Sequence, residues 1–93
     1  MRFADALIEI EAALPKVTWR KLEDKPAEMP ASFVAYDGSA DGWRFLACTW
    51  IQNCDPPTDR TYDGTATKGG LVLHLTLDLS IKAVKLAEDQ CAS

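Results

Sequence analysis

The longest unbroken run of strand-favouring residues is Trp43 to Gln52, Trp-Arg-Phe-Leu-Ala-Cys-Thr-Trp-Ile-Gln. At the two-residue period of a strand, one face carries Trp43, Phe45, Ala47, Thr49 and Ile51, and the other Arg44, Leu46, Cys48, Trp50 and Gln52. Both faces are largely apolar, whereas a strand wetted on one side alternates cleanly. The pattern predicts a strand central in its sheet and covered on both faces through its middle.

Near the amino terminus the spacing changes to that of a helix. Phe3, Leu7, Ile10 and Leu14 fall on one side of an α-helix, Asp5, Glu9 and Glu11 fall off that stripe, and Pro15 ends the run. Ile8 points roughly opposite Phe3, as a scattered exposed residue or part of a contact surface. From Lys16 to Leu22 the β-branched and aromatic residues predict a short strand that turns Val17 and Trp19 inward. Glu23 to Ala31, with Pro26 and Pro30 among charges, is a connector. Ser32 to Tyr36 resumes strand character, and the Asp37-Gly38 and Asp41-Gly42 pairs predict a hairpin into the central strand, its loop longer than two residues.

Asn53 to Gly70 lacks a sustained apolar pattern and contains Pro56-Pro57, Asp63-Gly64 and Gly69-Gly70, so it is expected to be a long loop. A short excursion, Arg60 to Tyr62 turning through Asp63-Gly64 to Thr65–Thr67, would shorten it. Gly69-Gly70 follows Lys68 without phosphate-loop spacing and marks a turn. Beyond it, leucines alternate from Leu71 to Leu79. From Leu77 onward, however, Asp78, Lys82, Lys85 and Asp89 gather into a narrow polar wedge on a helix. A strand at Leu71–Leu75 and a helix from Leu77 to about Cys91, capped by Thr76, are expected. The competing boundary runs the strand to Leu79 with Ser80 as the cap.

The predicted fold is a one-domain α+β unit, a four-stranded mainly antiparallel sheet with an N-terminal and a C-terminal helix on one face, in the order α-β-β-β-β-α. Ninety-three residues allow one modest core and little to cover the other face of the sheet. Self-association through that face, as a homodimer, is the consequence, with Arg44, Leu46, Cys48 and Trp50 as interface candidates.

Composition narrows the partners. Apolar residues at 47% and charged residues at 26% are ordinary globular values, so the chain should fold. A net charge of −4, with dispersed acids, disfavours a surface that tracks phosphate backbones, and nucleic acid is not an expected partner. Three cysteines cannot all pair within one chain and no secretion signal is evident, which predicts a cytoplasmic protein. No apolar run reaches the roughly 20 residues that span a bilayer, so no membrane association is expected.

Candidate chemistry is sparse. His74 is the only histidine and has no evident ligand set or nucleophile beside it. Cys54 is followed by Asp55, which opposes thiolate formation. Cys54, His74 and Cys91 lack zinc-site spacing, and Asp55, Asp59 and Asp63 lack calcium-loop spacing. Neither a metal nor a cofactor is expected. The favoured function is a non-enzymatic protein-interaction module, which another protein could also engage. The alternative is a small-molecule binder or enzyme with a pocket between the sheet and residues 53–70, lined by Trp50, Tyr62, Asp63 and His74.

Overall fold

The amino-terminal stripe folds as α1 (Phe3–Ala13), followed by a 3₁₀ turn at Leu14–Lys16 where Pro15 removes the next helical amide. In this computed structural model, which describes residues 2–51 and 60–92, five strands follow and then a second helix. They are β1 (Thr18–Lys21), β2 (Val34–Ala40), β3 (Trp43–Ile51), β4 (Arg60–Lys68), β5 (Leu71–His74) and α2 (Leu77–Cys91). The α+β class and antiparallel sheet match the sequence pattern. The strand count does not: the sheet has five strands in the order β1-β2-β3-β4-β5, each antiparallel to the next.

The additional strand is β4, in the second half of the expected loop. Its inward positions are Tyr62, Gly64 and Ala66, opposite Thr49, Ala47 and Phe45 of β3. Two of those three residues are small, so β4 shows no apolar stripe. Its β-branched Thr61, Thr65 and Thr67 suit a pleated surface but are polar. Residues 53–59 of the expected loop, with Cys54, Asp55 and Asp59, lie outside the described residues.

Three Asp-Gly pairs occur along the sheet, and only one is a turn. Asp41 and Gly42 both have positive φ, 54° and 83°, and form the two-residue connection from β2 to β3, as expected for an Asp-Gly hairpin. The hairpin loop is thus shorter than the sequence suggested, because β2 continues through Asp37-Gly38. Gly38 sits there because β1 presses against it: a Cβ would lie 2.5 Å from both the Thr18 carbonyl oxygen and Val17 Cγ1. Gly64 is likewise within a strand, and Gly69-Gly70 joins β4 to β5. Before β2, the Ser32 hydroxyl accepts from Ile51 N–H and donates to Ile51 O, extending the ladder by one side chain.

The inner face of the sheet and the two helices share a core. Trp19, Tyr36, Trp43, Phe45, Ala47, Ala66 and Leu75 pack with Ala6, Ile10 and Ala13 of α1 and Leu79, Ala83, Val84 and Ala87 of α2. Phe3, expected on the packed stripe, is 60% exposed. A helical side chain lies over the turn before its own Cα, and Phe3 begins α1, so its ring projects beyond the packed turns. At the other end of the chain, Thr76 caps α2 by accepting from Leu79 N–H, which places the strand-to-helix boundary at the expected residue.

The last turn of α2 finishes the β1 edge. Leu22 N–H donates to Ala35 O, so in the alternating antiparallel ladder the backbone groups of Trp19 point away from β2. They meet α2 instead: Trp19 N–H donates to Gln90 Oε1 at 2.8 Å, and Cys91 Sγ–H donates to Trp19 O at 3.7 Å. Gln90 Nε2 also donates to Val17 O at 2.7 Å. A Gln90→Ala variant loses two hydrogen bonds, each worth about 0.5–1.5 kcal/mol. It should be less stable by about 1–3 kcal/mol, with faster hydrogen exchange at Trp19 than at the central β3 amides. Unchanged exchange at Trp19 would show that the edge does not depend on this clamp.

Candidate functional site

With the helical layer on the inner side, the outer face of the sheet is the surface that the described residues leave open. Pairing register arranges it in rows. One row runs Thr18, Ser39, Arg44, Thr67 and Val72; the next runs Arg20, Asp37, Leu46, Thr65 and His74; a third includes Ala35, Cys48 and Asp63. Trp50 lies opposite Thr61 beyond these, and its ring sits 6.0 Å from that of Phe33. Along β3 itself the face runs from Arg44 near the β2–β3 turn to Trp50 at the far end, and Val72 of β5, in the Arg44 row, is exposed as well.

Of the two sets β3 could turn outward, Arg44, Leu46, Cys48 and Trp50 is the one that faces out. Among the described residues, the expected cover on both sides of β3 is present on the inner side alone. Trp43, Phe45, Ala47 and Thr49 are buried, whereas Arg44 and Leu46 are exposed and Cys48 and Trp50 half-buried. The inner Thr49 hydroxyl is satisfied by donating to Thr61 O at 2.8 Å. The four interface candidates thus form one strip along the open face.

The four pocket candidates do not converge. Trp50, Asp63 and His74 share the outer face, but Tyr62 pairs with Thr49 and belongs to the inner one. Trp50 and His74 are also far apart, since their β4 partners Thr61 and Thr65 are separated by roughly 13 Å of strand. Along residues 60–68 the presumed loop wall of that pocket is itself part of the sheet. His74, on edge strand β5, is exposed. Cys91 lies at the opposite edge, on β1, so the two do not meet. Among the described residues, no three His, Cys, Asp or Glu side chains are grouped to hold a metal ion, and no helix is long and apolar enough to cross a membrane.

Cys48 lies directly across from Asp63. Burial, and secondarily the Asp63 charge, push its thiol up to about 11. The thiolate is the reactive form. Peptide-level alkylation of Cys48 by iodoacetamide should therefore be slow at neutral pH and accelerate toward pH 11. Full modification at pH 7 at the rate of an unhindered thiol would contradict the burial and the pairing.

A different constellation emerges where the sequence offered no motif. The polar end of the face holds a groove of about 730 Å³ lined by Arg20, Asp37, Ser39, Arg44, Leu46, Thr65 and Thr67. Arg20 is committed within it: Nε and Nη2 donate to the two carboxylate oxygens of Asp37 at 3.1 and 3.0 Å. That pairing raises the Arg20 pKa further above its ordinary value. Arg44 joins no ion pair among the described residues. These residues come from four segments that only register brings together, so no spacing along the chain could have marked them. Searches against protein-family models, curated proteins and solved structures find no match to this chain.

Proposed function

We propose that the chain is a non-enzymatic interaction module that pairs with a second copy of itself through the outer face of its sheet, at the Leu46–Cys48–Trp50 end. The observation that carries this reading is the one-sided burial of β3. Its inner side chains are enclosed, while Leu46 in mid-strand stays 41% exposed and the aromatic neighbour of Trp50 among the described residues is Phe33. Covering a large apolar side chain is worth about 1.5–3 kcal/mol, so a strip of this kind gains from a partner surface. A two-fold axis lets the same strip serve both copies, and no second binding patch is required. The polar end, around Arg44, contributes little to such a contact and would lie at its rim.

Leu46→Asp tests the proposal while sparing the core, because Leu46 is exposed. The variant should keep the parent's circular dichroism and elute from size exclusion as a monomer where the parent elutes as a dimer. Identical elution of the two proteins would remove the outer face as the contact.

A further inference from the structure

We infer that the groove at the polar end of the sheet's outer face binds a small organic phosphate, with Arg44 as its principal cation. The inference does not require self-association: Arg44 lies at the rim of the proposed contact, six residues and roughly 20 Å along β3 from Trp50, although Leu46 borders both. Three observations support it. First, Arg44 is a cation without an ion-pair partner among the described residues. Its cross-strand neighbours are Ser39 and Thr67, both neutral. The carboxylates two positions either side of Ser39 are engaged elsewhere, Asp37 by Arg20 and Asp41 by Lys16 Nζ at 3.1 Å. Lys68, the next cation along β4, is held by Glu9 at 2.9 Å. An incoming anion at Arg44 thus displaces no ion pair among the described residues.

Second, the donors around Arg44 suit a phosphate. The guanidinium offers a planar fork of N–H groups, and Ser39, Thr67 and Thr65 add hydroxyls on both flanking strands. Three terminal phosphate oxygens can use that many donors; a carboxylate has only two oxygens. Third, the groove of about 730 Å³, open to solvent along the sheet face, is larger than a bare phosphate needs. Leu46 in its lining gives the organic part of the ligand an apolar surface.

The test is an NMR titration of the full chain at low ionic strength with inorganic phosphate, phenyl phosphate and phenylacetate. Phenyl phosphate should perturb the amides of Ser39, Arg44, Thr65 and Thr67 and bind several-fold tighter than inorganic phosphate. Arg44→Gln should weaken it at least tenfold, with the melting midpoint unchanged because Arg44 is exposed and unpaired; Arg44→Lys, lacking the fork, should recover only part of the affinity. No perturbation at millimolar phenyl phosphate, perturbation centred on Lys82 and Lys85 of α2, or unaltered binding by Arg44→Gln would overturn the site. Equal binding of phenylacetate would overturn the assignment to phosphate. A strictly monomeric protein would leave these expectations unchanged, so failure of the dimer and failure of this site are separately visible.

Discussion

Replacing Trp43 by alanine should destabilise the protein by about 3–5 kcal/mol, the range for removing a large buried aromatic side chain. Trp43 is fully enclosed and opens the central strand. Its Nε1–H donates to Glu9 Oε1 at 3.2 Å, Lys68 Nζ donates to the same oxygen at 2.9 Å, and that ammonium stands 5.6 Å from the Trp43 ring centroid. The indole therefore ties α1 to the turn end of β3 and β4. Lys68, and after it Trp43, hold the Glu9 carboxyl below its ordinary value of 4.5, in keeping with a carboxylate accepting both hydrogen bonds. Domains of this size have only about 5–15 kcal/mol in total, so Trp43→Ala should be partly unfolded at moderate temperature. Trp43→Phe retains most of the packing and loses the N–H, and should cost about 1–2 kcal/mol. Urea unfolding followed by far-ultraviolet circular dichroism measures both. A loss below about 1 kcal/mol for Trp43→Ala would mean that α1 is not anchored there.

Gly38→Ala should lower stability by about 1–3 kcal/mol or more, the usual penalty for overpacking. At roughly 4–8 °C per kcal/mol this shifts the melting midpoint downward by about 10 °C. The added methyl meets backbone as well as side chain, at 2.5 Å from the Thr18 carbonyl oxygen, and backbone within a paired strand cannot swing aside. Relief requires β1 to separate from β2, which would also pull Trp19 away from Gln90. Gly70→Ala is the matched control. A Cβ there meets nothing within 4 Å and φ is not in the left-handed region, so its effect should stay within about 0.5 kcal/mol. Equal effects of the two substitutions would show that β1 does not fill the space beside Gly38.

Gly38 also illustrates where the sequence ceased to be informative. An Asp-Gly pair is a hairpin signal, and the signal is identical at Asp37-Gly38, Asp41-Gly42 and Asp63-Gly64. Only the neighbouring strands separate the turn from the two close approaches, through contacts to Val17 and Thr18 in one case and to Leu75 and Leu46 in the other. β4 was hidden for a related reason. A strand whose inward residues include Gly64 and Ala66 fills little volume, because Leu75 and Phe45 occupy the space beside them. Where side chains carry the fold, the pattern was readable: the strand at Trp43 to Ile51, the inward Val17 and Trp19, and the Thr76 cap of α2 are all present at the expected residues, although β3 is covered on one face and not on the two expected.

The site was less legible because it depends on the parity of pairing. Tyr62 and Asp63 are adjacent in sequence, and a single-residue shift of β4 against β3 would exchange their faces. No apolar alternation within Arg60 to Lys68 marks that choice; it is set by Gly64 and Ala66, which are small enough to face Ala47 and Phe45 beneath the helical layer. The same parity assembles Ser39, Arg44, Thr65 and Thr67 on one surface from three strands.

Whether the open face serves as a contact surface is tested most directly by sedimentation velocity on the unmodified chain across a concentration series through tens of micromolar. Self-association through Leu46, Cys48 and Trp50 predicts a concentration-dependent boundary approaching twice the 10.2 kDa chain mass, with the dimer abolished by Leu46→Asp. A boundary that holds at the mass of one chain throughout that range would contradict it.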